Sequence, residues 1–147
     1  MSSLSFTSQF FETPIGYYSL EEDNILYVVS KKTKITRKKI DENNTILASY
    51  IKDEPLYVIM DGKTIGRRSK DDRKAIEDET KDRCAAIAIL VRSKVIRVLM
   101  HMYIAVANLD IPIQTFGTVE EGKDWLRMMK EKHSFQAMQN QRFSTSA

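Results

Sequence analysis

The stretch from Cys84 to Phe116 constrains the fold more than any other part of the sequence. Its first part, Ala85–Val91, is apolar without alternation, which is typical of a central parallel strand that is covered on both faces. Residues Val95–Ala107 are apolar at nearly every position, and Ile111–Phe116 follows as a second extended run. We interpret the stretch as a strand, a helix that is buried nearly all round and a second strand, because parallel strands need a crossover of this length.

The segments before and after this unit predict an alternating α/β order. Two runs rich in β-branched and aromatic residues, Pro14–Leu20 and Ile25–Val29, predict a hairpin. A third apolar run, Leu56–Met60, predicts another strand, and Thr36 and Thr118 are typical helix N-caps. The predicted order is β-β-α-β-α-β-α-β-α, which is a five-stranded mixed sheet with helices on its faces.

The 147 residues fit a single domain with flexible ends. We predict a flexible N-terminal arm at residues 1–13, a domain at 14–130 and a flexible, polar C-terminal tail at 131–147. The arm lacks the charged start of a secretory signal, and the most apolar segment is shorter than the roughly 20 residues that cross a membrane. The lone Cys84 cannot form an internal disulfide, so we expect a cytoplasmic protein without a membrane span.

Basic residues follow the predicted parallel strands at three of the four places where a strand ends. In an open α/β sheet these loops meet at one edge, where helix N-termini also point. The sequence therefore predicts an edge that binds an anion or a protein partner, although lysine and arginine favour any solvated loop. The candidate residues are Lys63, Arg67, Arg68, Ser69, Arg92, Ser93 and Lys94. The net charge of +3 and aromatic residues placed inside strands argue against nucleic acid as the partner.

The apolar helix is a second candidate surface. The helix has more apolar surface than one side of a small sheet can cover. The remaining surface either contacts a second subunit or an apolar ligand, or it is covered by the N-terminal arm or the last helix. A homodimer and a lipid pocket at Val95–Ala107 both remain open. The candidate dimer or ligand face consists of Val95, Leu99, Met102, Tyr103 and Val106.

The sequence offers little support for catalysis. His101 lies on the polar stripe of the apolar helix, His133 lies in the predicted tail, and Cys84 has no histidine near it in the sequence. No glycine-rich phosphate loop, metal-ligand spacing or nucleophile elbow is present. We therefore expect no enzyme activity, no catalytic or metal site and no cofactor.

Four segments carry a resemblance to a known family: the strand ending in Asp61, the run Ala85–Ser93, the run Ile111–Phe116, and Glu120–Glu121 leading to Trp125–Leu126. From about Gly16 to Met129, the chain resembles small bacterial proteins with the STAS-like fold, which anti-sigma-factor antagonists and cytoplasmic domains of sulphate transporters share. The resemblance implies a STAS-like five-stranded α/β domain that acts in regulation or interaction without a cofactor, with a homodimer as one form.

The phosphorylation switch of anti-sigma-factor antagonists does not transfer to this sequence. Those proteins carry a phosphorylatable serine in an Asp-Ser-Ser-Gly turn, whereas the corresponding region here reads Arg67-Arg68-Ser69-Lys70-Asp71. We interpret Ser69 as a helix N-cap. The sequence as a whole predicts a non-catalytic intracellular binding or regulatory module with a protein partner at the basic edge, or alternatively a small apolar-ligand or lipid-binding protein.

Overall fold

The computed structural model describes residues 8–52, 55–62, 69–107 and 110–145. These residues form six strands and four α-helices, and strands and α-helices alternate from the third strand onward. The strands are β1 (Gln9–Glu12), β2 (Gly16–Leu20), β3 (Ile25–Ser30), β4 (Leu56–Asp61), β5 (Cys84–Leu90) and β6 (Ile113–Phe116). The helices are α1 (Arg37–Tyr50), α2 (Lys70–Arg83), α3 (Lys94–Ala107) and α4 (Val119–Thr145).

All six strands belong to one mixed sheet in the order β1-β2-β3-β4-β5-β6. The first three strands pair antiparallel, and β3 to β6 pair parallel. The α/β class is confirmed, and the order from β2 onward is the one that the STAS-like resemblance implied. The sheet has six strands rather than five.

The additional strand corrects the described part of the arm predicted at residues 1–13, and residues 1–7 lie outside the described residues. Gln9–Glu12 pairs with β2, and the ring of Phe11 stacks on the ring of Tyr18 with centroids 5.1 Å apart. The Phe11 side chain is buried and Phe10 points to solvent, so this short strand alternates as an edge strand does. Four residues in a serine-rich context are too few for that alternation to stand out in the sequence.

The last helix corrects the predicted tail at residues 131–147. α4 continues through 27 residues to Thr145. No proline or glycine follows Gly122 in the sequence, and lysine, glutamate, glutamine, methionine and alanine are good helix formers. Residues 134–142 are exposed throughout, so propensity rather than packing accounts for this half of the helix.

The helices lie on opposite faces of the sheet. α1, α2 and α3 are successive crossovers between parallel strands, and crossovers of one hand place them on the same face. Leu47 of α1 and Met100 of α3 accordingly join one core cluster. On the other face, Leu126 of α4 is fully buried against Ile59 and Ala88. Within the described ranges no helix could cross a membrane: α3 is apolar but has 14 residues, and α4 is long but polar.

One polar pair is buried in the larger core. The Tyr18 hydroxyl donates to Asn43 Oδ1 at 2.7 Å, and both residues are more than 90% buried. The pair links β2 to α1 and satisfies the amide oxygen that α1 brings into the core.

The prediction that the Val95–Ala107 helix is buried nearly all round is wrong. Val95 is 70% exposed and Val106 is 85% exposed, whereas Met100 and Ile104 pack against the core. The helix packs near β6, which is the last strand of the sheet. At this position one side of α3 faces the sheet and its outer side faces solvent.

Candidate functional site

The parallel strands end at one edge of the sheet, which we call the carboxyl edge. The strand ends are tied to one another by backbone hydrogen bonds: the Gly62 N–H donates to Leu90 O at 2.9 Å, and the Val91 N–H donates to Phe116 O at 2.8 Å. The carboxyl ends of β3, β4, β5 and β6 therefore lie side by side, and residues 63–68 of the loop after β4 lie outside the described residues. This is the convergence that the sequence predicted.

The carboxyl edge opens between β5 and β6. The chain leaves β5 towards α3 on one face, and it leaves β6 towards α4 on the opposite face. Adjacent loops that part in this way leave a crevice, which is where ligands bind in open α/β sheets. We define the crevice by Val91–Lys94, Arg97, Gly117 and Thr118.

Two helix N-termini flank the crevice, and each has a side-chain cap. Ser93 Oγ accepts the Ile96 N–H at 3.3 Å, and Thr118 Oγ1 accepts the Glu121 N–H at 3.2 Å. The N–H groups that precede these have no acceptor within their own helix. They carry the positive end of each helix dipole, so both helices favour an anion between them.

Arg97 brings a guanidinium into the crevice. It lies in the first turn of α3 and is half-buried, and its Nε donates to the Val91 carbonyl at 3.2 Å. Its terminal nitrogens face Gly117, where an added Cβ would lie 2.7 Å from Nη2. Only the absence of a side chain at residue 117 leaves room for this placement.

Arg97 is not among the residues predicted for the edge, because it lies inside the run Val95–Ala107, which was interpreted from its apolar character. Its position in the first turn after a strand was an available signal. The role of Gly117 was not readable, because the contact joins residues that are 20 positions apart.

The predicted edge residues fall into three groups. Arg92, Ser93 and Lys94 are exposed beside the crevice. Ser69 lies at the start of α2, where its Oγ accepts the Asp72 N–H at 3.1 Å, in agreement with an N-cap. Lys63, Arg67 and Arg68 lie outside the described residues.

Among the described residues, three cations lie at or just before the start of α3: Arg92, Lys94 and Arg97. Burial raises the pKa of the Tyr27 hydroxyl, and the Asp61 carboxylate raises it further. The Arg92 guanidinium lowers the same pKa. On the other side, Glu120 and Glu121 occupy the first turn of α4.

Two lysines at the end of β3 and the start of α1 make local contacts. Lys31 pairs with Glu12 and lies 4.9 Å from the centre of the Tyr17 ring. Lys39 of α1 donates to the Lys34 carbonyl at 3.1 Å and to Thr33. Lys31 and Lys39 therefore hold the loop and β1 in place, whereas the side chains of Lys32 and Lys34 are exposed.

The predicted dimer or ligand face lies on the outer side of α3. Its residues, 45–85% exposed, are Val95, Leu99, Met102, Tyr103 and Val106. A cavity of about 100 Å³ is present elsewhere, between α1 and the sheet, with Leu26, Val28 and Leu47 among its lining residues and none from α3.

The residues that the sequence analysis considered for catalysis lie away from the crevice. Cys84 begins β5, at the opposite end of the strand, and His133 Nδ1 lies 2.8 Å from the Tyr57 hydroxyl on α4's face. His101 is exposed on α3. Among the described residues, no group of three or more histidine, cysteine, aspartate and glutamate side chains could hold a metal ion.

Comparison with known proteins gives a family and two partial structural likenesses. A family model described as a domain of unknown function (DUF7793) matches residues 18–130, which include the whole crevice. No curated protein matches the sequence. The chain is similar to an uncharacterised protein of the DUF3478 family with a SpoIIAA-like fold from Shewanella loihica PV-4. The two chains are 13% identical, the match covers 82% of this chain and 92% of that one, and the TM-score is 0.48. It is also similar to a protein of unknown function from Arthrobacter sp. FB24, at 20% identity over 80% and 97% of the two chains, with a TM-score of 0.28.

Proposed function

Because the chain belongs to the DUF7793 family of domains of unknown function, we propose its function from the site alone: a non-catalytic, intracellular binding module. In this proposal the crevice holds an anionic group, a phosphate or a carboxylate, that a partner protein presents. The observation that carries the proposal is the Arg97 guanidinium, held between two helix N-termini and facing Gly117.

The donors of the crevice suit an anion with several oxygens. A guanidinium is planar and can donate two parallel hydrogen bonds to one phosphate or carboxylate. Its Nε is already bound to the Val91 carbonyl, which fixes the orientation of the group before a ligand arrives. Arg92 and Lys94 are exposed on the same side and add long-range attraction.

A protein partner fits the shape of the site better than a free metabolite. The crevice lies at an open edge with exposed residues on the α3 side, whereas small-molecule sites are usually enclosed and largely apolar. A partner surface can cover this edge and remove the ion pair from water, which strengthens it.

An NMR titration of the isotopically labelled full chain with inorganic phosphate tests this proposal. We expect saturable shifts of the backbone amides of Ser93, Lys94, Gly117 and Thr118. Arg97→Gln should weaken phosphate binding at least about tenfold, because a hydrogen bond to a charged group contributes about 1.5–3 kcal/mol.

Lys132→Gln is the matched control, since Lys132 is an exposed cation on the far half of α4. It should leave the phosphate affinity unchanged. Shifts spread evenly over all lysines and arginines, or equal affinity in Arg97→Gln and the wild type, would contradict the proposal.

The apolar-ligand alternative has weaker support. The cavity under α1, at about 100 Å³, is well below the roughly 300 Å³ at which ligand sites for drug-sized molecules begin. The alternative stays a prediction with its own measurement: native mass spectrometry of gently purified protein would show a bound lipid, and a clean apo mass would argue against it.

A further inference from the structure

The outer side of α3 is the largest apolar surface among the described residues for which side-chain exposure is known. Seven large apolar residues lie there, and each is between 45% and 85% exposed: Val95, Ile96, Val98, Leu99, Met102, Tyr103 and Val106. An aromatic side chain presents about 150–250 Å², and six of these seven side chains are smaller, so at about 150 Å² each their exposed fractions amount to roughly 650 Å². The largest patch on a typical monomer is about 300–600 Å².

The spacing of these residues is that of a helix-packing seam. Val95, Leu99, Met102 and Val106 recur at intervals of four, three and four residues, which is the a/d pattern of paired helices. The seam is separate from the inner side of α3, where Met100 and Ile104 already contact the core. One helix therefore carries two apolar faces, and the sheet accounts for only one of them.

The area of the outer face agrees with what a stable dimer needs. Standard protein interfaces bury about 600–1,000 Å² from each partner, and the outer face lies in this range. A second copy of this chain supplies an equal apolar face by symmetry, because a twofold contact places the same patch on both subunits.

The charges of α3 determine the direction of packing. The helix has no acidic residue, and its two cations, Lys94 and Arg97, both lie in its first turn. Parallel packing would bring the two N-termini together, with their cations and the positive ends of their dipoles. Antiparallel packing places each cationic end beside the partner's helix C-terminus.

We propose that two copies of this chain associate through the outer faces of α3, packed antiparallel about a twofold axis. In this arrangement Leu99 of one copy lies opposite Met102 of the other, and Val95 lies opposite Val106. The seam and the crevice use different residues of α3. The association does not depend on the proposed anion binding.

Light scattering of the full chain tests the association. We expect twice the chain mass of 17.0 kDa at micromolar concentration. Leu99→Glu should raise the dimer dissociation constant at least about 100-fold, because it buries an unpaired charge at the seam.

Met138→Glu is the control, because Met138 is an equally exposed apolar residue on α4. It should remain dimeric, and far-UV circular dichroism should show all three proteins equally folded. A monomeric wild type, or a Leu99→Glu dimer of wild-type affinity, would overturn the proposal. Monomers that bind anionic vesicles through α3 would assign the face to a membrane and overturn it too.

Disulfide trapping in a Cys84→Ala background tests the direction. Residues 95 and 106 are about 16 Å apart along one helix, which is too far for a disulfide within a chain. Val95→Cys with Val106→Cys should cross-link two copies, whereas Val95→Cys alone should not. Efficient cross-linking of the single variant would show parallel packing and refute the antiparallel arrangement.

Discussion

Two glycines at the carboxyl edge should respond to the same substitution in opposite ways. Gly62→Ala would place a Cβ 2.8 Å from the Leu90 carbonyl oxygen and 3.0 Å from Val91 Cγ2. Gly117→Ala would place one 2.7 Å from Nη2 of Arg97. The first obstacle is backbone that is hydrogen-bonded between β4 and β5, and the second is the end of a flexible side chain.

The expected magnitudes follow from this difference. Neither glycine has a positive φ, so in both variants alanine restricts the unfolded chain and contributes about 0.4–1 kcal/mol of stability. At Gly62 the crowding costs about 1–3 kcal/mol, and the weakened hydrogen bond to Leu90 costs about 0.5–1.5 kcal/mol more. The net loss should be about 0.5–4 kcal/mol. At Gly117 the cost is the loss of the hydrogen bond from Arg97 Nε to the Val91 carbonyl. This bond is only partly buried, so the net change in the free energy of unfolding should stay within about 1 kcal/mol.

Urea unfolding followed by far-UV circular dichroism measures the two stabilities, and phosphate titration measures the site. We expect Gly62→Ala to unfold at lower urea with nearly normal phosphate binding. Gly117→Ala should unfold almost like the wild type and bind phosphate several-fold more weakly. Equal destabilisation of the two variants, or a Gly62→Ala protein as stable as the wild type, would refute the placement of Arg97 and of the β4–β5 end.

Two further predictions concern the core and the response to acid. Tyr18→Phe should cost about 1–3 kcal/mol in urea unfolding, because it leaves the buried Asn43 amide oxygen without its donor; a cost below about 0.3 kcal/mol would contradict the buried pair. Burial alone would raise the pKa of Glu21, but hydrogen bonds from Ser19 and Lys123 outweigh it and lower the pKa below its ordinary value. The ionised Glu21 carboxylate therefore contributes its full stabilisation at neutral pH, and this contribution is lost as the pH falls below about 5. Glu21→Gln should consequently show a smaller loss of stability between pH 7 and pH 4 than the wild type does, and identical pH profiles would contradict this.

The sequence predicted those features that local pattern determines. The alternation of apolar runs gave the parallel strands. The caps at Thr36, Ser69 and Thr118 appear in the structure with the expected bonds at 3.1–3.2 Å. Each of these features depends on residues within a few positions of one another, so no knowledge of tertiary contacts was needed.

The features that the sequence did not predict depend on contacts between residues far apart in the chain, or on the lack of such contacts. Hydrophobicity made α3 look buried, but composition cannot show which side of a helix the same chain covers. The strand at Gln9–Glu12 is defined by its pairing with β2 and by the stack of Phe11 on Tyr18. Arg97 is a site residue because its guanidinium lies beside Gly117, which follows the next strand of the chain.

The consecutive order of the six strands has a consequence for how the sheet assembles. Every strand pairs with the strand that precedes it in the chain, so none has to be inserted between two that are already in place. Each new pairing closes a loop no longer than one helix and its turns, which keeps the entropic cost of successive steps small. The sheet can therefore grow by one strand at a time from its N-terminal side while the chain is still being synthesised.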